Sequence, residues 1–352
     1  MSRMIFYFAR TRALIEKNIL FSKLNLISGL GVLGISRRYM GLALAFALTA
    51  TSTQAGGATP LVSVQWLKEH LAGPHLVILD IRSAIDGGSL ETYSQGHIPG
   101  AVHTDYDKDG WRVTRHDLPL MLPTVPELEK LIGDLGIDED SSVVVVPAGV
   151  HATDFSSAAR TYWTLKVVGV TQVSILDGGF AAWKADPANP IETGIRQPSP
   201  QIFTATFNKD LVAEMDEVEK AQSSGSEILV DARSPELFTG KEKAPYARAY
   251  GHIPGALNID NASLYDPITN KLKPKAELAR IMSVVPQGPT VSYCNTGHWA
   301  ATDWFVLSEI LGRKNVKVFP GSMVEWSANA SHPVASSRTK WDDLKKVLGA
   351  GQ

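Results

Sequence analysis

The chain has 352 residues, one cysteine, a net charge of -2 and 44% hydrophobic residues. Its length suits two domains and an extension better than one domain. The near-neutral charge carries no nucleic-acid signature, and a lone cysteine excludes an intrachain disulfide framework and any multi-cysteine metal site.

Residues 1–38 carry seven Lys or Arg against one Glu. The apolar stretch 41–48 follows, then Thr53-Gln54-Ala55 before Gly56. A basic region, a short apolar region and a small-residue cleavage site come in the order of an export signal. The apolar stretch is shorter than the ~20 residues a membrane span needs. We therefore expect residues 1–55 to be a targeting segment, and the protein to be exported to the periplasm with no stable membrane association after processing. A mitochondrial presequence and an uncleaved anchor are the competing readings. Removing the segment leaves 27 basic against 35 acidic residues, a net charge of -8. Any anion site must then be built locally. Gly29-Leu30-Gly31-Val32-Leu33-Gly34 spells GxGxxG, but no strand precedes it and no acid lies ~20 residues on, so it reads as part of the targeting segment.

The first domain is expected over residues 60–185. Ser63 stands as an N-cap before apolar positions at helical spacing. Residues 76–80 form an apolar run ending in Asp80, which suits a strand buried on both faces of a parallel sheet. Gly96-His97-Ile98-Pro99-Gly100-Ala101 is a turn entering a short strand at Val102. A helix is predicted over 126–135, a strand over 142–146, a helix over 156–168 and a strand over 172–176, closed by Asp177-Gly178-Gly179 and Trp183. Residues 186–200, with four prolines, read as a linker.

The second domain, residues 201–330, repeats this order. It has a helix over 215–222, a strand over 227–231 ending in Asp231, and Gly251-His252-Ile253-Pro254-Gly255-Ala256, a letter-for-letter copy of the first turn. A helix over 275–282, a strand over 290–293, a helix over 300–311 and a closing run over 316–322 with Trp326 complete it. Alternating strands and helices imply an α/β fold, each half a parallel sheet flanked by helices. Similarity at so long a period marks a domain duplication. Residues 331–352 form a tail with helical spacing over 341–348.

Cys294 falls at the end of the predicted 290–293 strand. A thiol is a nucleophile only as the thiolate. The helix after the loop turns unpaired N–H groups toward it, the loop's own N–H groups can converge into a nest, and Gly297 permits a positive φ there. The corresponding place in the first half is Pro147. A lone cysteine is commonly an inert core residue, but a position between a buried strand and a helix start favours the nucleophile.

The paired Gly-His-Ile-Pro-Gly-Ala turns, the strand ends Asp80-Ile81-Arg82-Ser83 and Asp231-Ala232-Arg233-Ser234, and the Asp177-Gly178-Gly179…Trp183 closure carry a resemblance. From about residue 60 to 326 the chain resembles a tandem-domain sulfurtransferase of the rhodanese family. The resemblance implies two rhodanese-like domains, the first catalytically empty. It implies a catalytic Cys294 heading a substrate-binding loop of Asn295, Thr296, Gly297, His298 and Trp299, with Ala300 opening the helix. Sulfur would pass from a small-molecule donor, thiosulfate, through a Cys294 persulfide to cyanide or a thiol, with no cofactor or metal. Arg233 and Arg248 would add positive charge near the substrate; a salt bridge holding the turn is the other reading of Arg233. The alternatives are a 3-mercaptopyruvate sulfurtransferase and a non-catalytic persulfide-relay module. Phosphatase chemistry of related domains needs a guanidinium clamp, and no Lys or Arg lies between Cys294 and Arg313. His298 either supplies a titratable cation or faces solvent; Trp299 either walls the pocket or packs between domains. His97 and His252, one per turn, read as structural rather than metal-binding. Asp80 and Asp231 read as acceptors for backbone N–H groups.

Overall fold

The computed structural model describes residues 59–339. The targeting segment expected over residues 1–55 and the 341–348 helix predicted in the tail lie outside the described residues. Among the described residues no helix is long and apolar enough to cross a membrane.

Each half is built on a parallel sheet. The first has the strand order Leu61–Val62, Gln172–Leu176, Ser142–Val146, Leu76–Asp80, Val102–His103. The second has Val316–Val318, Thr290–Tyr293, Ile228–Asp231, Leu257–Asn258. An isolated parallel bridge, Val212 to Val318, stands where the first sheet has its outermost strand. The registers correspond: Asp80 pairs with Val146, and Asp231 with Tyr293. The central strands are buried on both faces, as their uninterrupted apolar runs require.

The predicted strands are all present within a residue or two. Ser63 caps its helix, its hydroxyl accepting from the Trp66 N–H at 3.1 Å. The helix expected from residue 156 starts earlier, at Ala152, because the His151 ring accepts from the Asp154 N–H and caps it there. The helix after Cys294 is α-helical only over Ala300–Trp304 and continues as a π-helix over Phe305–Ile310. Two small antiparallel hairpins, Val113–Arg115 with Leu118–Met121 and Tyr265–Asp266 with Lys271–Leu272, carried no period long enough to predict them.

The linker is less free than its prolines suggest. Trp183 Nε1 donates to the Pro190 carbonyl, and His97 pairs with Glu192 as a β-bridge. The tail repeats both contacts: Trp326 Nε1 donates to the Pro333 carbonyl, and His252 bridges Ala335. Each duplicated unit thus wraps a short extended segment back onto its own Gly-His-Ile-Pro-Gly turn. Within that frame His97 stacks on Tyr93 and bonds its carbonyl, and His252 stacks on Phe238 and bonds its carbonyl.

One apolar core is shared by the two halves. Phe155 and Tyr162 of the first meet Phe305, Tyr265 and Trp304 of the second. The Ala152–Val167 helix, buried along most of its length, lies against Ala300–Trp304. This packing carries first-half side chains to the Cys294 loop.

Candidate active site

The loops that follow the two central strands differ in what their backbone N–H groups bind. In the first half Pro147 and Ala148 carbonyls accept from Phe180 and Ala181. In the second, Cys294 and Asn295 carbonyls accept from Met323 and Val324. These matched bonds set Pro147 against Cys294 and Gly179 against Ser322. In the first loop the N–H groups of Ala148, Gly149 and Val150 all donate to the Asp154 carboxylate, at 3.0, 2.5 and 3.0 Å. The anion-binding nest is filled from within. Burial raises the pKa of Asp154 although those three bonds work to lower it. The helix after Cys294 begins one residue later in its loop, and its third position, which Asp154 holds in the first half, is Thr302. The N–H groups of Asn295 and Thr296 accordingly have no carboxylate from their own chain among the described residues.

Ser322 organises the second loop. Its Oγ accepts from the N–H groups of Cys294 and Gly297, both at 3.0 Å, and its own hydroxyl donates to the Phe319 carbonyl at 2.8 Å. Ser322 has φ of 51°, a left-handed conformation costly for a side chain and native to its glycine twin, Gly179, at 60°. Three hydrogen bonds hold it there.

Gly297 shows how tightly the loop is enclosed. Its φ is 70°, and a Cβ built on it would lie 2.2 Å from Arg160 Nη1 and 2.7 Å from the Pro320 carbonyl oxygen. Gly297→Ala should therefore cost about 2–4 kcal/mol, from left-handed strain plus overlap. Gly87 has a similar φ of 79° with open space around it; Gly87→Ala should cost only about 1 kcal/mol. Urea unfolding of the two variants checks the contrast.

The other loop residues sit as follows. Cys294 is 1% exposed. Thr296 is buried, Asn295 and Trp299 half-buried. Asn295 Oδ1 and Trp299 Nε1 are buried without partners. Trp299 packs against the apolar core to which both halves contribute. The Ala300 carbonyl accepts from the Ser292 hydroxyl at 3.0 Å.

His298 neither faces solvent nor acts as a cation. It is buried between the halves: its Nδ1 accepts from the Tyr106 hydroxyl at 2.8 Å and its Nε2–H donates to the Thr153 carbonyl at 3.0 Å. Both ring nitrogens are spent in the neutral form. Burial, then the charges of Arg112 and Arg160, push its pKa well below the ordinary 6.5. Below pH 6.5 the unfolded chain binds a proton that the folded chain refuses. The residue's contribution to stability is thus complete above pH 6.5 and is lost on acidification, by up to about 1.4 kcal/mol per pH unit. The stability gap between the native protein and His298→Asn should narrow between about pH 7.5 and about pH 5.5 in urea titrations. A constant gap would mean that folded His298 protonates freely.

Of the two arginines expected beside the substrate, Arg233 is engaged elsewhere. Arg233 is buried, and its Nε and Nη2 bind the Asp231 carboxylate at 2.5–3.1 Å while Nη2 also reaches the Gly251 carbonyl at 2.8 Å. Burial works against its charge, but Asp231 more than offsets this and the pKa is raised. The first half repeats the device atom for atom: Arg82 binds Asp80 and the Gly96 carbonyl. A group reproduced in the half without a nucleophile is there to lock the turn, so the salt-bridge reading of Arg233 holds. Arg248 is exposed; its N–H donates to Ser327 Oγ and its Nη1 to the Ala328 carbonyl.

The comparisons with known proteins bear on the family and the fold. The model of the rhodanese-like domain matches residues 63–186 and again 214–329. The chain belongs to the rhodanese family. It is a tandem-domain sulfurtransferase of that family. It is 33% identical over 287 residues to the 3-mercaptopyruvate sulfurtransferase of Escherichia coli K12, covering 78% of this chain and 98% of the relative. A candidate thiosulfate sulfurtransferase of Haloferax volcanii is 34% identical over 289 residues, covering 78% and 95%. The crystal structure of SseA from Escherichia coli, described as a 3-mercaptopyruvate sulfotransferase, aligns with a TM-score of 0.64 at 30% identity over 75% of this chain and 99% of that one.

Sequence reasoning about this rhodanese missed four site residues: Tyr106, Thr153 and Arg160 of the first domain, and Ser322. Two left a trace. Ser322 replaces a glycine of the duplicated closure, and Arg160 is a charge amid Ser156-Ser157-Ala158-Ala159 and Tyr162-Trp163.

Proposed function

We propose that this sulfurtransferase works by double displacement through a persulfide on Cys294, with a small anionic sulfur donor. The observation that supports this is the pair of loops: the Pro147 loop closes its N–H groups on Asp154, and the Cys294 loop has no such carboxylate among the described residues, which suits an anion from outside. The thiolate attacks the donor's outer sulfur. With thiosulfate the S–S bond breaks and sulfite leaves with the electron pair. With 3-mercaptopyruvate the C–S bond breaks, the enolate takes up the thiol proton and pyruvate leaves. Cyanide or a thiol then removes the outer sulfur and restores the thiolate. The absence of a second cysteine suits this cycle, because no neighbouring thiol can discharge the persulfide as a disulfide.

The similarity to the Escherichia coli enzyme favours 3-mercaptopyruvate as the donor, and the Haloferax relative favours thiosulfate. Steady-state turnover with each donor and cyanide decides between them. We expect at least a tenfold preference in kcat/KM for one; turnover with neither would leave only a sulfur-relay role. Export rests on residues 1–55. Mass spectrometry of fractionated cells should find a chain starting after Ala55 outside the cytoplasm, and a cytoplasmic chain retaining Met1 would contradict it.

A further inference from the structure

A cation from the cysteine-less domain reaches the reactive loop. Arg160, on the Ala152–Val167 helix, is wholly buried, and its Nη1 donates to the Gly297 carbonyl at 3.0 Å. Its Nε and Nη2 have no partner. The guanidinium lies over the Trp163 ring, its carbon 4.6 Å from the centroid. The other arginines of this region are neutralised: Arg82 by Asp80, Arg112 by Asp107 and Arg233 by Asp231. Among the described residues no carboxylate pairs with Arg160.

A guanidinium removed from water without an anion is costly, and it cannot readily shed its charge. Such a group is tolerable where negative charge resides during the working cycle. The candidates facing it are few. Tyr106 is a neutral phenol at working pH, because burial raises its pKa and its hydroxyl donates to His298. His298 is neutral, and Arg112 and Arg233 are cations already paired. Cys294 remains, three positions before the carbonyl that Arg160 holds. Burial pulls Arg160 down to about 10, and negative charge on Tyr106 or Cys294 acts in the opposite direction.

We propose that Arg160 of the first domain is the counter-cation of the Cys294 thiolate and of the persulfide formed on it. This rests on the reading of Cys294 as the nucleophile. It gives the empty domain a function: its helix brings to the loop a fixed charge that the loop's own sequence lacks. It also gives a use to a buried guanidinium whose Nε and Nη2 have no hydrogen-bond partner.

The only cysteine makes whole-protein thiol titration specific for Cys294. The pH dependence of iodoacetamide alkylation, followed by intact mass, and the ultraviolet thiolate absorbance relative to Cys294→Ser both report its pKa in the full chain. In the native protein that pKa should lie below the ordinary ~8.5 of a free cysteine. Arg160→Gln should raise it by about one unit or more, a tenfold loss of thiolate near neutrality, and shift the acidic limb of the kcat/KM profile upward equally. Arg160→Lys should restore most of the shift. A native pKa at or above ~8.5 overturns the proposal even if Arg160→Gln does not fold. So does an unchanged pKa in a folded Arg160→Gln, including one whose only defect is a raised donor KM, which would assign the cation to the donor. The two readings fail separately. A Cys294→Ser protein that still turns over refutes the nucleophile and leaves the titration standing. A thiol pKa indifferent to Arg160 in an enzyme that needs Cys294 refutes only the counter-cation.

Discussion

Cys294→Ser should lower sulfur transfer by at least about 10³-fold while leaving the fold intact. The hydroxyl does not ionise near neutrality, and no second thiol in the chain can take its place. The backbone bonds that hold the position do not depend on sulfur: its N–H donates to Ser322 Oγ and its carbonyl accepts from Met323. The thermal unfolding midpoint should accordingly move little. Intact mass after incubation with the productive donor provides the second readout, with one added sulfur on the native chain and none on the variant. Full turnover by the Cys294→Ser protein would rule out covalent transfer at this residue.

Arg233→Met should destabilise the protein by about 3–5 kcal/mol, because it leaves the buried Asp231 carboxyl without its partner. Arg82→Met should cost a similar amount through Asp80. The parity is informative, since only one of the two lies in the domain with the cysteine. Under conditions where both variants are folded, the donor KM should be no worse in Arg233→Met than in Arg82→Met. A large KM increase confined to Arg233→Met would return that residue to the substrate. Denaturant titration gives the first comparison and steady-state kinetics the second.

Much of this architecture was legible in the chain because its signals are local. The uninterrupted apolar strands, the repeated Gly-His-Ile-Pro-Gly turns and the capped helices each depend on a few neighbouring residues. Two copies of the same local code reinforced each other. The duplication also exposed the reactive position, where Cys294 stands against Pro147. The linker and tail were harder to interpret, since prolines break regular structure whether a segment is free or, as here, bridged to His97 and His252.

By itself, then, the sequence determined the fold class, the duplication and the position of the single cysteine, since residue type and spacing along one segment carry all three. The tertiary structure decided what surrounds that cysteine. His298 is neutral and buried because Tyr106 and Thr153 arrive from the other domain. Arg233 is occupied because Asp231, two residues away on the same strand end, points at it. Arg160 reaches Gly297 across 137 positions of sequence. Charge and hydrogen bonding act through space, and folding the first domain against the second places those groups around Cys294.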